Sequence, residues 1–145
     1  MVKRISRASL PPQLFWDASF LIAYFAPQDQ YHKRALKLRD YLGEKEISFL
    51  TSWPVVAEAS TILLYHYGYS HSLALFKALK VFQIFLPEES DYEKAQDLFV
   101  EFNQEYQLSF NDILSYQIIQ EHLKNVPILT FDKGFSKIGL TVFVP

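Results

Sequence analysis

The chain of 145 residues contains no cysteine, so it can form neither a disulfide nor a thiolate zinc site, and this fits a reducing cytoplasm. No segment reaches the roughly 18 uninterrupted apolar residues that a membrane span requires. Charge of one sign is also lacking. Fourteen Lys and Arg against sixteen Asp and Glu leave a net charge of −2, which gives no global pull on nucleic acid, so any basic patch must be local. There is no internal repeat, low-complexity tract or linker. Half the residues are apolar and 21% are charged, which is the composition of one globular domain able to bury about two-thirds of its unfolded surface. Lys3, Arg4 and Arg7 precede an apolar run as a signal peptide would. The pair Pro11-Pro12, the acid Asp17 within the run and the want of a small-residue cleavage site argue against export. Residues 1–13 therefore read as a basic leader, and 14–145 as the domain.

What is present is led by Leu14–Ala26, LFWDASFLIAYFA, with Asp17 its single charge. So dense an apolar segment belongs at the centre of a core, as a short buried strand followed by a helix that Pro27 stops. A lone carboxylate there is costly unless something compensates it. The oddity recurs three times. Glu58 is the only formal charge between Glu46 and Lys77, Asp112 the only one between Glu105 and Glu121, and Asp132 closes the apolar run VPILTF.

Taken in order, the chain predicts strands at Leu14–Trp16, Ile47–Thr51, Val81–Leu86, Pro127–Phe131 and Leu140–Val144. Helices are expected over Tyr31–Leu42 with Gly43 closing it, from Ser52 to Gly68, from Ser70, over Ser90–Tyr106 and over Asn111–Lys124, with a turn or short helix over Asp132–Ile138. Short apolar strands without alternation, separated by amphipathic helices, indicate an α/β domain: a mostly parallel sheet of four to five strands with helices on both faces.

In such a sheet, functional groups gather beyond the carboxyl ends of the strands. Asp17 and Asp132 end strands, Asp112 opens a helix on that side, and Glu58 lies a turn and a half inside its helix. Four carboxylates drawn together repel one another and call for a cation. Only Asp132 has a basic neighbour in sequence, Lys133, so the cation is expected from outside. All-oxygen ligation suits Mg²⁺ or Mn²⁺, one or two ions that activate water on a phosphodiester. Taken singly, Asp17 and Asp112 would serve equally as helix caps and Asp132 as a turn residue. Glu58, amid Val, Ala, Ile and Leu, has no capping role to explain it.

These fragments resemble the PIN-domain ribonucleases, particularly the short toxin-like members of toxin–antitoxin pairs. FWDASFLIA is similar to the family's first strand with its acid and nearby hydroxyl, Asp17 and Ser19; WPVVAEASTIL to the helix carrying Glu58; LSFNDILSYQIIQEH to the segment opened by Asp112; and PILTFDKGFSKIG to the closing strand with Thr130, Asp132 and Phe135. The chain departs from the family at Gly134, where another acid often stands, and in its longer leader. The resemblance implies metal-dependent cleavage of single-stranded or looped RNA, with Asp17, Glu58, Asp112 and Asp132 holding Mg²⁺ or Mn²⁺. Ser19, Thr130 and Asn111 would support them, and His32, Lys33, Arg34, Lys133 and Lys137 would meet RNA phosphates. It also implies a small antitoxin partner and a homodimer.

The run Tyr65-His-Tyr-Gly-Tyr69 reads as an interface, whereas His66, His71 and His122 show no metal-ligand spacing and read as surface or helix-end residues. A haloacid-dehalogenase-like phosphotransferase would need a second acid where Ser19 stands, and a receiver domain would need paired acids beside Asp17. The alternative from another class is a catalytically silent domain that binds RNA or serves as a scaffold.

Overall fold

The computed structural model describes residues 12–143; Lys3, Arg4 and Arg7 of the basic leader lie outside them, as does Val144, whereas Gln13, read as the end of the leader, already belongs to the first strand. Five strands form one parallel sheet: β1 (Gln13–Trp16), β2 (Ser48–Ser52), β3 (Phe82–Phe85), β4 (Ile128–Leu129) and β5 (Val142–Phe143), in the order β3-β2-β1-β4-β5. The first strand is central, and the order reverses beside it. Right-handed crossovers in opposite directions put helices on both faces. On one side of the reversal the chain uses α1 (Ala18–Phe25), α2 (His32–Glu44), α3 (Trp53–Ile62) and α4 (Tyr69–Ala78). On the other it uses α5 (Glu89–Phe102) and α6 (Phe110–Glu121).

Local chemistry explains the boundaries. Ser52 caps α3 by accepting the Val55 amide at 3.3 Å, with Pro54 in the first turn where no amide is needed. Ser109 and Asp112 form a reciprocal capping box on α6, and Glu88 and Asp91 another on α5. Gly43 does not close α2. The helix passes through it to Glu44, and the left-handed residue that turns the chain is Glu46, at φ 55°. α6 stops at Glu121 rather than Lys124 because Lys124 and Asn125 both adopt positive φ, 53° and 58°. α5 stops at Phe102, where the Asn103 side chain donates to the Phe99 carbonyl and accepts the Leu108 amide.

The larger core packs Leu14, Phe15 and Trp16 against Phe20, Leu21, Leu38, Val55, Leu63, Leu75 and Ile128, all essentially without exposure. Trp16 sits edge-on to Phe20, Tyr24 and Phe82. A smaller core of Ala95, Leu108, Ile113, Leu114 and Ile118 joins α5 to α6. No helix among the described residues is long and apolar enough to cross a membrane.

After α3 the helix widens into a π turn over Leu63–Tyr67 and breaks at Gly68, whose φ of 112° and ψ of 162° lie where essentially only glycine is comfortable. A Cβ there would meet nothing within 4 Å, so the requirement is backbone conformation alone. Gly68→Ala is expected to cost about 1–3 kcal/mol of stability, seen as a lower urea midpoint with an unchanged m-value. An unmoved midpoint would show that the break tolerates a side chain.

Candidate active site

The reversal of strand order leaves a crevice beyond the carboxyl ends of β1 and β4, where such sheets present their ligands. Trp16 pairs with Leu129, so the residues that follow, Asp17 and Thr130, leave the sheet side by side. The Asp17 amide is bonded to the Leu129 carbonyl at 3.0 Å, which fixes that placement.

Asp17 is 5% exposed, and it caps α1. Three donors converge on its Oδ2: the Thr130 hydroxyl at 2.8 Å, the Ser19 hydroxyl at 2.9 Å and the Ser19 amide at 3.4 Å. Ser19 Oγ in turn accepts the Phe131 amide at 3.0 Å, and Thr130 Oγ1 accepts the Asp132 amide at 2.9 Å. Two hydroxyls thus tie the start of α1 to the loop after β4. Burial pushes the Asp17 carboxyl above its ordinary range and Glu58 adds to this, while the hydroxyl and amide donors pull it back.

Asp132 caps the 3₁₀ turn Lys133–Ile138, its Oδ1 accepting the Gly134 amide at 2.8 Å. A Cβ on Gly134 would lie 2.9 Å from Leu108 Cδ2 and 3.2 Å from that same Oδ1. The chain passes too close to Leu108 for a further acid there unless that leucine moves.

Asp112 sits in the first turn of α6, with Oδ2 accepting the Ser109 amide at 3.3 Å and its own amide bonded to Ser109 Oγ at 3.1 Å. Its pKa is pushed up to about 7, first by burial and then by the negative charges of Asp17 and Asp132, with Ser109 opposing. Glu58, half-buried on α3, accepts the Asn111 side-chain amide at 2.8 Å; the same nitrogen reaches the Pro54 carbonyl at 3.3 Å. Asn111 therefore joins the first turns of α3 and α6 and links Glu58 to the neighbour of Asp112.

The four acids consequently share one electrostatic neighbourhood, although they come from four elements. They are not drawn to metal-ligand spacing. Among the described residues the trio whose ligand atoms lie within 4.8 Å of one another is Asp91, Glu121 and His122. That trio stands at the other end of α6, about 15 Å along the helix from Asp112, and its atoms already have partners. His122 Nε2 is 2.7 Å from Asp91 Oδ1, Lys94 pairs with Glu121 at 2.6 Å, and Gln117 donates to Glu121. Burial alone would raise the Asp91 carboxyl, but the donors Glu88, His122 and Gln117 outweigh it and hold it below the usual range. His122 is thus a helix-end residue with a specific partner, which its spacing in sequence did not reveal.

Of the basic residues expected to meet phosphates, Lys33, Arg34, Lys133 and Lys137 are exposed. His32 is half-buried, with Nδ1 bonded to the Ala23 carbonyl at 2.7 Å, where it ties α2 to α1. Tyr65 and Tyr69 are 80% and 69% exposed, while Tyr67 between them packs against the larger core.

A family model of the PIN domain matches residues 14–140. Among solved structures, the chain is similar to VapC20 of Mycobacterium tuberculosis, described as a toxin that cleaves the sarcin–ricin loop, with a TM-score of 0.76 at 23% identity over 88% of this chain and 96% of that one. It is also similar to VapBC2 of Rickettsia felis bound to a promoter DNA fragment, with a TM-score of 0.64 at 16% identity over 90% and 96%. A third is VapBC-5 of M. tuberculosis, a member of a family of toxin–antitoxin systems, with a TM-score of 0.58 at 15% identity over 92% and 98%. At these identities the likeness is one of fold. Comparison with curated protein sequences gave no match.

The raised Asp112 pKa fixes a sign for the pH dependence of stability. The folded state holds a proton that the unfolded chain releases near 3.8, so its stabilising effect is full below that value and is lost as pH rises toward about 7. Asp17, shifted in the same direction, adds to it. In chelator, the protein should lose roughly 1–2 kcal/mol between pH 5 and pH 8, allowing for solvent screening of a partly exposed group. Asp112→Asn should flatten the profile. Urea melts at the two pH values measure this, and a wild-type profile already flat would contradict it.

Proposed function

The chain belongs to the PIN domain family, and on that premise we propose that it is a metal-dependent endoribonuclease and the toxin of a toxin–antitoxin pair. One observation carries the proposal: Asp17, Glu58, Asp112 and Asp132 come from four separate elements to one rim, where burial first, and then the charges of Asp17 and Asp132, push Asp112 up to about 7. Folding has assembled like charges at a cost to stability, which marks a functional arrangement.

The donor set fits a hard divalent cation. It is all oxygen, and the hydroxyls of Ser19 and Thr130 both hold the Asp17 carboxylate by Oδ2. Asp17, Glu58, Asp112 and Asp132 would hold Mg²⁺ or Mn²⁺, which supplies Lewis-acid stabilisation of a phosphodiester and a water of lowered pKa. Ser19 and Thr130 keep the Asp17 carboxylate in one orientation, and Asn111 does the same for Glu58. Lys33, Arg34, Lys133 and Lys137 meet the phosphates of an RNA strand, the dominant source of affinity for such a ligand. Hydrolysis joins the water oxygen to phosphorus as the sugar oxygen leaves and takes up a proton. The partners are RNA, a small antitoxin protein, and a second copy of this chain seated on the exposed Tyr65 and Tyr69 face. The compartment is the cytoplasm.

Calorimetric Mn²⁺ titration should show saturable binding that Asp17→Asn and Asp112→Asn both abolish, and RNA cleavage should stop in chelator. No binding in a folded protein, together with no cleavage, would leave a silent RNA-binding module. Glu58→Gln keeps an acceptor for Asn111, so it should lower cleavage at least a hundredfold, on the order expected for loss of one well-placed ligand. Stability in chelator should hold or rise as like charge is removed. A loss of more than ~2 kcal/mol would mark Glu58 as a structural acid.

A further inference from the structure

The larger core packs its rings mostly edge-on, with interplanar angles of 84°, 72° and 90° around Trp16 and 83° between Tyr24 and Phe25. Phe131 breaks that habit. It lies parallel to Phe20, at 5.5 Å and 11°, and parallel to Tyr31, at 4.4 Å and 6°. The series runs outward, from Phe20 with no exposure to Phe131 and Tyr31, both half-buried. Exposed Arg34 stands beside the outer pair of rings, its Cζ 5.6 Å from both the Tyr31 and the Phe131 ring centres.

This ladder adjoins the acid rim. The Phe131 amide donates to Ser19 Oγ, which itself donates to Asp17, and the next residue is Asp132. Tyr31 is held at the start of α2 by the bond from its amide to Asp29 Oδ1 at 2.8 Å. Lys33 and Arg34 are exposed in the first turn of α2, directly after Tyr31, and Lys133 is exposed two residues after Phe131.

Parallel rings that run from the core out to half-buried Tyr31, with the cationic Arg34 beside them, match the way unpaired bases are held, with flat faces on aromatics and phosphates on Lys or Arg. On the premise that the acid rim cuts RNA, we infer that Tyr31, backed by Phe131 and flanked by Arg34, is the subsite that stacks an unpaired nucleobase next to the scissile phosphate. A paired base in a duplex has both faces covered by its neighbours and cannot add to the ladder.

The test uses short single-stranded oligoribonucleotides carrying 2-aminopurine at successive positions, titrated with the full chain in chelator so that nothing is cut. Stacking quenches 2-aminopurine, so one position should darken on binding. Tyr31→Leu, which keeps the apolar packing on Phe131 but removes the ring, should abolish that quench and weaken binding about tenfold, within the range for one stacked base. Tyr31→Trp should restore both. An abasic nucleotide at the darkened position should bind wild type and Tyr31→Leu equally. If RNA binds but no position darkens, or the quench survives in folded Tyr31→Leu, the subsite is wrong and the nuclease assignment stands. If wild type binds none of these oligonucleotides, the subsite is wrong, and the nuclease assignment is decided by the Mn²⁺ titration and the cleavage assay. Should Tyr31→Leu fail to fold, the wild-type scan and the Tyr31→Trp titration still decide.

Discussion

A carboxylate at 5% exposure is unfavourable unless its charge is shared, and at Asp17 two hydroxyls and an amide share it. Those donors come from both sides of the strand reversal, Ser19 just beyond β1 and Thr130 just beyond β4. The same hydroxyls accept the amides of Phe131 and Asp132, so the compensation of one buried charge also sets the path of the loop that carries the last acid. Much at the rim depends on this: the position of Asp132, the field felt by Asp112, and the ladder of Phe20, Phe131 and Tyr31.

Each of the three aspartates also performs the ordinary task its position suggests. Asp17 caps α1, Asp112 completes a capping box on α6 and Asp132 caps the turn after β4. Capping is therefore no rival to the proposed metal binding at these residues. The cap holds one oxygen by a backbone amide and so aims the other. Glu58 has no capping role, and a side chain, Asn111, holds it from across the crevice. The rim is preorganised by local chemistry at three positions and by one non-local hydrogen bond at the fourth.

Much of this was legible in the sequence where the signal is local. Apolar runs marked the five strands, and Ser52 and Pro54 marked the start of α3. An isolated acid in an apolar window marked each of the four carboxylates. Local signals also misled: Gly43 looked like a helix end, yet the backbone takes its left-handed turn three residues later, at Glu46. The pairing of His122 with Asp91 and the parallel ring stack had no sequence signature, because each joins residues far apart in the chain. The same holds for the crowding that places Gly134 against Leu108.

By itself the sequence determined the class of fold, the order of its elements and the identity of the acids, since hydrophobic periodicity, capping preference and the cost of a lone buried charge all act over a few residues. Tertiary structure alone decided which oxygen of Asp17 the Thr130 hydroxyl holds, that Asp112 holds its proton up to about 7, and that Tyr31 faces Phe131. Those properties depend on distances between segments a hundred residues apart, and only the sheet register and the packing of helices across it set such distances.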